Sequence, residues 1–288
     1  MDLVAIVIIQ ILYAVASLVL ISIGLAIIFG MMGVINFAHG EFLMIGGFAF
    51  VLAVAADVNF WFAMLVVAPL TVGAMGVAVE RLIIRHLYGR VIETVLATWG
   101  LSLFLMGLAA TVFGYHRKGV APPFGTIAIG AYREGGYTFF VIGMAAVMLA
   151  LVYAGLKYTP LGLIARATMQ SAGTAAGLGV DVDKTYAVTF GIGAALSGLA
   201  GAILAPIAGV VPDIGVTYVV KAFITVISGG AIALAGTGAA STLFGTVSQA
   251  VTLVSRPVVG EVALLVAAIV LLRLLPKGIT GRYFQRSL

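Results

Sequence analysis

The segment Gly33-Val34-Ile35-Asn36-Phe37-Ala38-His39-Gly40-Glu41 interrupts an otherwise apolar start to the chain. Leu3–Ala38, which runs into it, carries no charge for 36 residues. As one α-helix that run would be about 54 Å long, against a hydrocarbon core of ~30 Å. It has to break, and Gly30, Gly33 and Asn36 supply the permissive backbone and the capping chemistry. After Glu41, the charge-free run Phe42–Ala56 is only 15 residues long. A helix that crosses there must begin around residues 36–41, which puts His39 and Glu41 at or inside the membrane boundary.

Composition supports that reading. Of 288 residues, 63% are hydrophobic and 9% charged, and mean hydropathy is +1.24. Soluble domains carry roughly a quarter charged residues. So few charges cannot cover a water-facing surface, which excludes soluble enzymes, secreted disulfide scaffolds and nucleic-acid readers. With no cysteine in the chain, disulfides, thiolate metal sites and cysteine nucleophiles are excluded too. Met1-Asp2-Leu3 has no basic region ahead of the apolar run, so the first segment is expected to stay as a span rather than be cleaved.

Working outward, Val58–Val79, Thr94–Tyr115 and Gly135–Leu156 read as single spans, Thr185–Pro212 as a span with its exit, and Val258–Leu275 as the last. Ala222–Ser255, with 34 uncharged residues, is too long for one span and tight for two. Ser228-Gly229-Gly230 and Ala235-Gly236-Thr237-Gly238 are the places for a break or re-entrant turn. The expectation is an all-α polytopic membrane protein with eight or nine membrane segments, some broken or re-entrant, in a single transmembrane domain over residues 1–288. Glycine-interrupted segments of this kind point to a substrate path in transporters.

Lysine and arginine set the orientation. Arg81, Arg85, Arg90, Lys157, Arg166, Lys184, Arg273, Lys277, Arg282 and Arg286 fall on one side. Only Arg117, Lys118, Arg133 and Arg256 fall on the other, with Lys221 at a span edge. The loops at 80–93 and 157–186 and the C-terminus are thus expected in the cytoplasm, and the N-terminus outside.

No Walker loop and no H-E-x-x-H motif occurs, and the three histidines, His39, His86 and His116, are too scattered for a metal cluster. Gly191-Ile192-Gly193 lacks the third glycine of a dinucleotide fingerprint. Instead Gly193, Ser197 and Gly201, like Ala194, Gly198 and Ala202, recur every four residues and make a small-residue face for close helix packing. Nothing here reads as an enzyme, a metal site or a cofactor site.

Three constellations remain. In the first, Asn36 can cap the second helix and Glu41 in its first turn is favoured by the positive helix end; equally, the break can line a path with Asn36 or His39 near a solute. Residues two apart on a helix point about 200° away from each other, so Glu41 is expected as the structural anchor and His39 as the residue nearer the path. The second is the loop Lys157–Tyr186. Thr159-Pro160 should start a short helix, glycines at 173, 177 and 179 should end it, and Asp181 and Asp183 suit capping of the next span. It is either an interfacial helix lying on lipid or a docking element. The third is Lys221 with Ser228-Gly229-Gly230, where the lysine is expected to snorkel. The candidate path comprises Asn36, His39, Gly40, Thr98, Ser228, Gly229 and Gly230.

In GVINFAHGEFLMIGG (33–47), LYGRVIETVLATWGLSL (87–103), the loop 162–190, KAFITVISGG (221–230) and Leu275-Pro276-Lys277-Gly278-Ile279, the chain resembles the permease subunits of branched-chain amino acid type ABC importers, a group that includes urea and short-chain amide permeases. The similarity runs in order along nearly the whole chain. It implies alternating access for a small polar solute across a bacterial inner membrane. The implied partners are a second homologous permease in a heterodimer, two cytoplasmic ATPases that bind the ATP, and a periplasmic solute-binding protein. The implied coupling loop falls on Arg166, Gln170, Ala175, Leu178, Gly179 and Asp183. Gln170-Ser171 stands where amino acid permeases often show an acidic pair, and with Leu96–Gly100 this inclines toward the urea and amide branch. The alternative is an autonomous channel or ion-coupled secondary transporter for a small neutral solute.

Overall fold

The computed structural model describes residues 2–230 and 232–284. Helix α1 (Asp2–Met32) is continuous for 31 residues, and α2 (His39–Ala55) follows the break. The chain leaves α1 through Gly33, at φ +64°, where a side chain would be strained. Gly30 stays helical, so the break sits at one glycine rather than two. Helix α3 (Phe60–Phe62), a π-helical segment at Ala63–Val67 and α4 (Ala68–Leu82) form one apolar length, Phe60–Leu82. A 3₁₀ turn at Ile84–Leu87 leads to α5 (Val91–Phe113). A hairpin of β1 (Thr126–Ile129) and β2 (Tyr132–Gly135) precedes α6 (Gly136–Tyr158). The chain ends with α7 (Pro160–Gln170), α8 (Ala172–Gly177), α9 (Val182–Ala208), α10 (Ile214–Gly229), α11 (Ala233–Val254), α12 (Pro257–Leu274) and α13 (Gly278–Phe284).

The protein is an all-α polytopic membrane protein. Among the described residues six helices are long and apolar enough to cross a membrane, or seven with α10 and α11, bent by 116°, counted as one broken span. The 17-residue α2 is a shorter apolar helix. Helix length therefore supports six or seven crossings, with α2 additional, where the charge-free runs suggested eight or nine segments.

Two compact units divide the chain. One comprises Ile23–Val120 and Leu151–Val220. Its centre is α9, whose small residues let α1, α2 and α4 approach to backbone contact. A Cβ on Gly46 would stand 2.6 Å from the Gly198 carbonyl carbon, and one on Gly193 would stand 2.9 Å from the Gly24 carbonyl oxygen. Gly201 likewise abuts the backbone of Leu43. The four-residue repeat of small residues is thus a packing face, with Gly191 against Val77 and Gly73 of α4 and Gly193 against Ile28 and Gly24 of α1. Phe42, Val72, Phe190 and Ala194 fill the core beside them.

The other unit comprises Met1–Ser22, Ala121–Ala150 and Lys221–Leu288. Leu18, Ala240, Phe244, Leu264 and Ala268 form its core. Lys221 does not simply snorkel: its Nζ lies 2.6 Å from Glu261 of α12. An acid at the start of a neighbouring apolar helix is the nearest counter-charge, and the sequence separation hid it.

Candidate functional site

The break between α1 and α2 is held by side chains from three directions. Asn36 is fully buried, and its Oδ1 accepts from Ala38 N at 3.0 Å. It closes the turn ahead of the helix and is not the N-cap, which is Ala38 with no side-chain cap bond. The chain turns two residues later than the capping pattern implied, so Asn36 reaches an amide outside α2. Its Nδ2 has no hydrogen-bond partner among the described residues. Thr98 of α5 clasps the same turn: its Oγ1 accepts from Phe37 N at 3.1 Å and donates to Thr94 O at 2.8 Å.

His39 and Glu41 diverge, as their spacing on a helix requires. Nδ1 of His39 is 3.3 Å from Oγ of Ser197 on α9. Oε1 of Glu41 accepts from Ser102 of α5 at 2.7 Å, while Oε2 has no hydrogen-bond partner among the described residues. The Glu41 carboxyl lies against Gly215 at the start of α10, and Gly40 meets the Gly215 backbone. Gly40 is therefore a close-approach position rather than open space. All of these groups are buried, so the segment combines an orphan amide donor with an orphan carboxylate acceptor. Orphan buried polar atoms are uncommon enough to call for an explanation.

In the other unit, Ser228, Gly229 and Gly230 end α10. The Ser228 hydroxyl is buried without a hydrogen-bond partner among the described residues. Gly230 has φ +86°, and a Cβ on Gly229 would be 2.5 Å from the Gly236 carbonyl carbon. Thr280 of α13 staples this break: its Oγ1 donates to Gly229 O at 2.6 Å and accepts from Ile232 N at 3.0 Å. Neither Ser102 nor Thr280 stood out in the sequence. Ser102 is one hydroxyl in an apolar run and Thr280 one hydroxyl between glycines and basic residues, and only the distant partner gives each its meaning.

The loop at 157–186 forms α7 and α8. Thr159 caps α7 by accepting from Gly162 N, with Pro160 at the first helical position. The helix ends at Ser171, not at Gly173, because the Ser171 hydroxyl accepts from Thr174 N and starts α8. Asp181 caps α9 through Lys184 N at 2.9 Å. Asp183 instead pairs with Arg85 at 2.6 Å, which ties the loop at 80–93 to the loop at 157–186. Arg166 folds back to Gly162 O at 3.3 Å, Gln170 and Gly179 are exposed, Ala175 is buried, and Leu178 is 82% exposed. Glu80, which shares a cavity lining with Asp181 and Asp183, is buried and accepts from the Tyr88 hydroxyl at 2.5 Å. Burial, then the Glu80 carboxylate, pushes that hydroxyl far above its ordinary pKa, so Tyr88 stays a proton donor.

Among the described residues no cluster of His, Asp or Glu could hold a metal. Broken apolar helices with buried polar breaks define the class as a polytopic membrane protein. Residues 7–275 match the family model described as branched-chain amino acid transport system / permease component, and the chain belongs to that family. It is 28% identical to the high-affinity branched-chain amino acid transport system permease protein LivH of Escherichia coli, over 91% of each chain. It is 29% identical to BraD of Pseudomonas aeruginosa over the same shares. The solved structure of PsaBC from Streptococcus pneumoniae in complex with Fab shares the fold, at a TM-score of 0.51 and 14% identity, covering 97% of this chain and 94% of that one.

Proposed function

We propose that this chain is the permease subunit of a binding-protein-dependent ABC importer for branched-chain amino acids. In this reading it works with a second permease, two cytoplasmic ATPases and an external solute-binding protein, by alternating access in an inner membrane. The carrying observation is the continuity of α9. Asp181 caps its start, Asp183 in its first turn pairs with Arg85, and Ser197 further along touches His39 at the buried break. A push on α7 and α8 is delivered to the α1–α2 break by one helix. Leu178, with Arg166 and Gln170 nearby, forms the face that an ATPase grips.

Glu41 Oε2 favours a second reading, an ion-coupled carrier or channel, because an unpartnered buried carboxylate suits a coupling ion. One experiment separates the two. The permease pair is reconstituted in vesicles with and without the ATPases, and leucine and urea uptake are followed. ATP-dependent leucine uptake is expected, and Leu178→Asp or Arg166→Glu should lower it about tenfold with hydrolysis retained, within the usual range of coupling between sites. Solute-specific uptake without ATPases would support the carrier reading, and urea uptake in place of leucine would overturn the substrate assignment.

A further inference from the structure

A cavity of about 670 Å³ opens beside the loop in the unit built on α9. Its walls are apolar: Ile27 and Met31 of α1, Leu156 of α6, Ile164 of α7, and Ile192 and Leu196 of α9. Its rim is polar, with Thr159, Asp181, Lys184 and Thr185. A second cavity, of about 260 Å³, shares Asp181 and Lys184 with the first and adds Glu80, Arg81, Arg85 and Asp183. An apolar trough and a small charged chamber that share two lining residues suit an amphipathic molecule.

The charges in the chamber narrow the ligand. Asp183 is taken by Arg85, and Asp181 is taken by the α9 amide it caps. Arg81 and Lys184 have no acid within ion-pair distance among the described residues. Glu80 is 1% exposed, spends Oε1 on Tyr88, and leaves Oε2 without a partner. The chamber therefore offers two free cations and one buried free carboxylate oxygen. We infer that this pair of cavities binds one phospholipid whose headgroup carries both a phosphate and a primary ammonium, as in phosphatidylethanolamine. The phosphate meets Lys184 and Arg81, the ammonium meets Glu80, and an acyl chain fills the trough between α7 and α9. A phosphate without an amine would leave Glu80 unpartnered beside a second anion, and a quaternary amine cannot donate to it. The apolar trough excludes a free headgroup as the principal ligand, since most of the buried surface would then have no occupant.

The site lies against the proposed coupling helix but does not depend on that function, because lipid binding is measured on the chain itself. The full chain is purified, stripped of lipid and re-exposed to vesicles of phosphatidylethanolamine, phosphatidylglycerol or phosphatidylcholine. Bound lipid is then counted by native mass spectrometry. One retained phosphatidylethanolamine is expected, in preference to both others. Lys184→Gln, at an exposed position, should weaken retention about fivefold, the share of one basic residue near a phosphate. Val188→Trp, which fills the trough from α9, should abolish it at unchanged helical content, and Glu80→Gln should erase the preference over phosphatidylglycerol. Equal retention of the three lipids, or unchanged retention in Val188→Trp, overturns the inference. So does displacement of the lipid by inorganic phosphate, which would mean that the chamber alone binds.

Discussion

Replacing Gly46 by alanine tests whether close backbone packing positions the break. A Cβ there would stand 2.6 Å from the Gly198 carbonyl carbon and closer still to other Gly198 backbone atoms. Ordinary contact begins near 3.4 Å, so α2 and α9 must separate locally by at least about 0.8 Å, because no side chain can yield. Overpacking of this kind costs about 1–3 kcal/mol. Alanine also returns about 0.5–1 kcal/mol of helix stability relative to glycine. Gly107→Ala on α5 carries the same gain with nothing within 4 Å, so subtracting the two variants leaves the clash alone. Gly46→Ala should be less stable than Gly107→Ala by about 1–3 kcal/mol, read from monodisperse protein remaining after heating in detergent. The same shift would stretch the 3.3 Å contact between His39 and Ser197 toward about 4.1 Å, beyond hydrogen-bond reach, so uptake should fall further than the amount of protein. Equal midpoints for the two alanine variants would refute the reasoning.

Thr280→Val keeps the shape of the side chain but strands Gly229 O, at about 1–3 kcal/mol for a buried unsatisfied group, and frees the part-exposed Ile232 N at a smaller cost. The Ile232 amide should then exchange hydrogen at least tenfold faster, and an unchanged rate would show that the staple is incidental. Glu41→Gln should reduce assembled protein, since Glu41 joins α2, α5 and the start of α10, whereas His39→Gln should reduce uptake at unchanged assembly. Scoring folded protein and transport separately decides between them, and the reverse pattern would exchange the two roles.

The parts of this architecture legible in sequence are those set by local chemistry. Run length required the break after α1, the Thr159-Pro160 pair started α7, Asp181 capped α9, and the four-residue spacing of small residues marked the packing face of α9. Partners far apart in sequence were not legible. Nothing near Glu41 points to Ser102, and nothing near Gly46 points to Gly198. The Asn36 cap failed because a side chain that can cap a helix can equally close the turn before it. The hairpin at 126–135 left one usable signal: Gly130-Ala131 between Thr126–Ile129 and Tyr132–Gly135 is a two-residue turn with glycine first, at φ +59°. Strands this short and exposed add no apolar run of span length.

The proposed coupling needs α9 to carry a displacement without absorbing it, and its sequence bears on that requirement. From Asp183, which holds Arg85, to Ser197, which meets His39, is 14 residues, or about 21 Å of helix. Pro206 is the one proline inside α9. Its ring and missing amide loosen the turn back to residue 202, which lies beyond Ser197 as seen from the loop. The stretch between the two contacts thus keeps its hydrogen bonds, while Phe190, Gly193 and Ala194 are buried against α1, α2 and α4. Interdigitated backbones of this kind do not slide continuously; they shift together or hold. A push at the loop then reaches His39 by moving α9 with the helices packed on it. In this proposal the point that yields is the α1–α2 break, where Gly33, the orphan Nδ2 of Asn36 and the orphan Oε2 of Glu41 lie within nine residues.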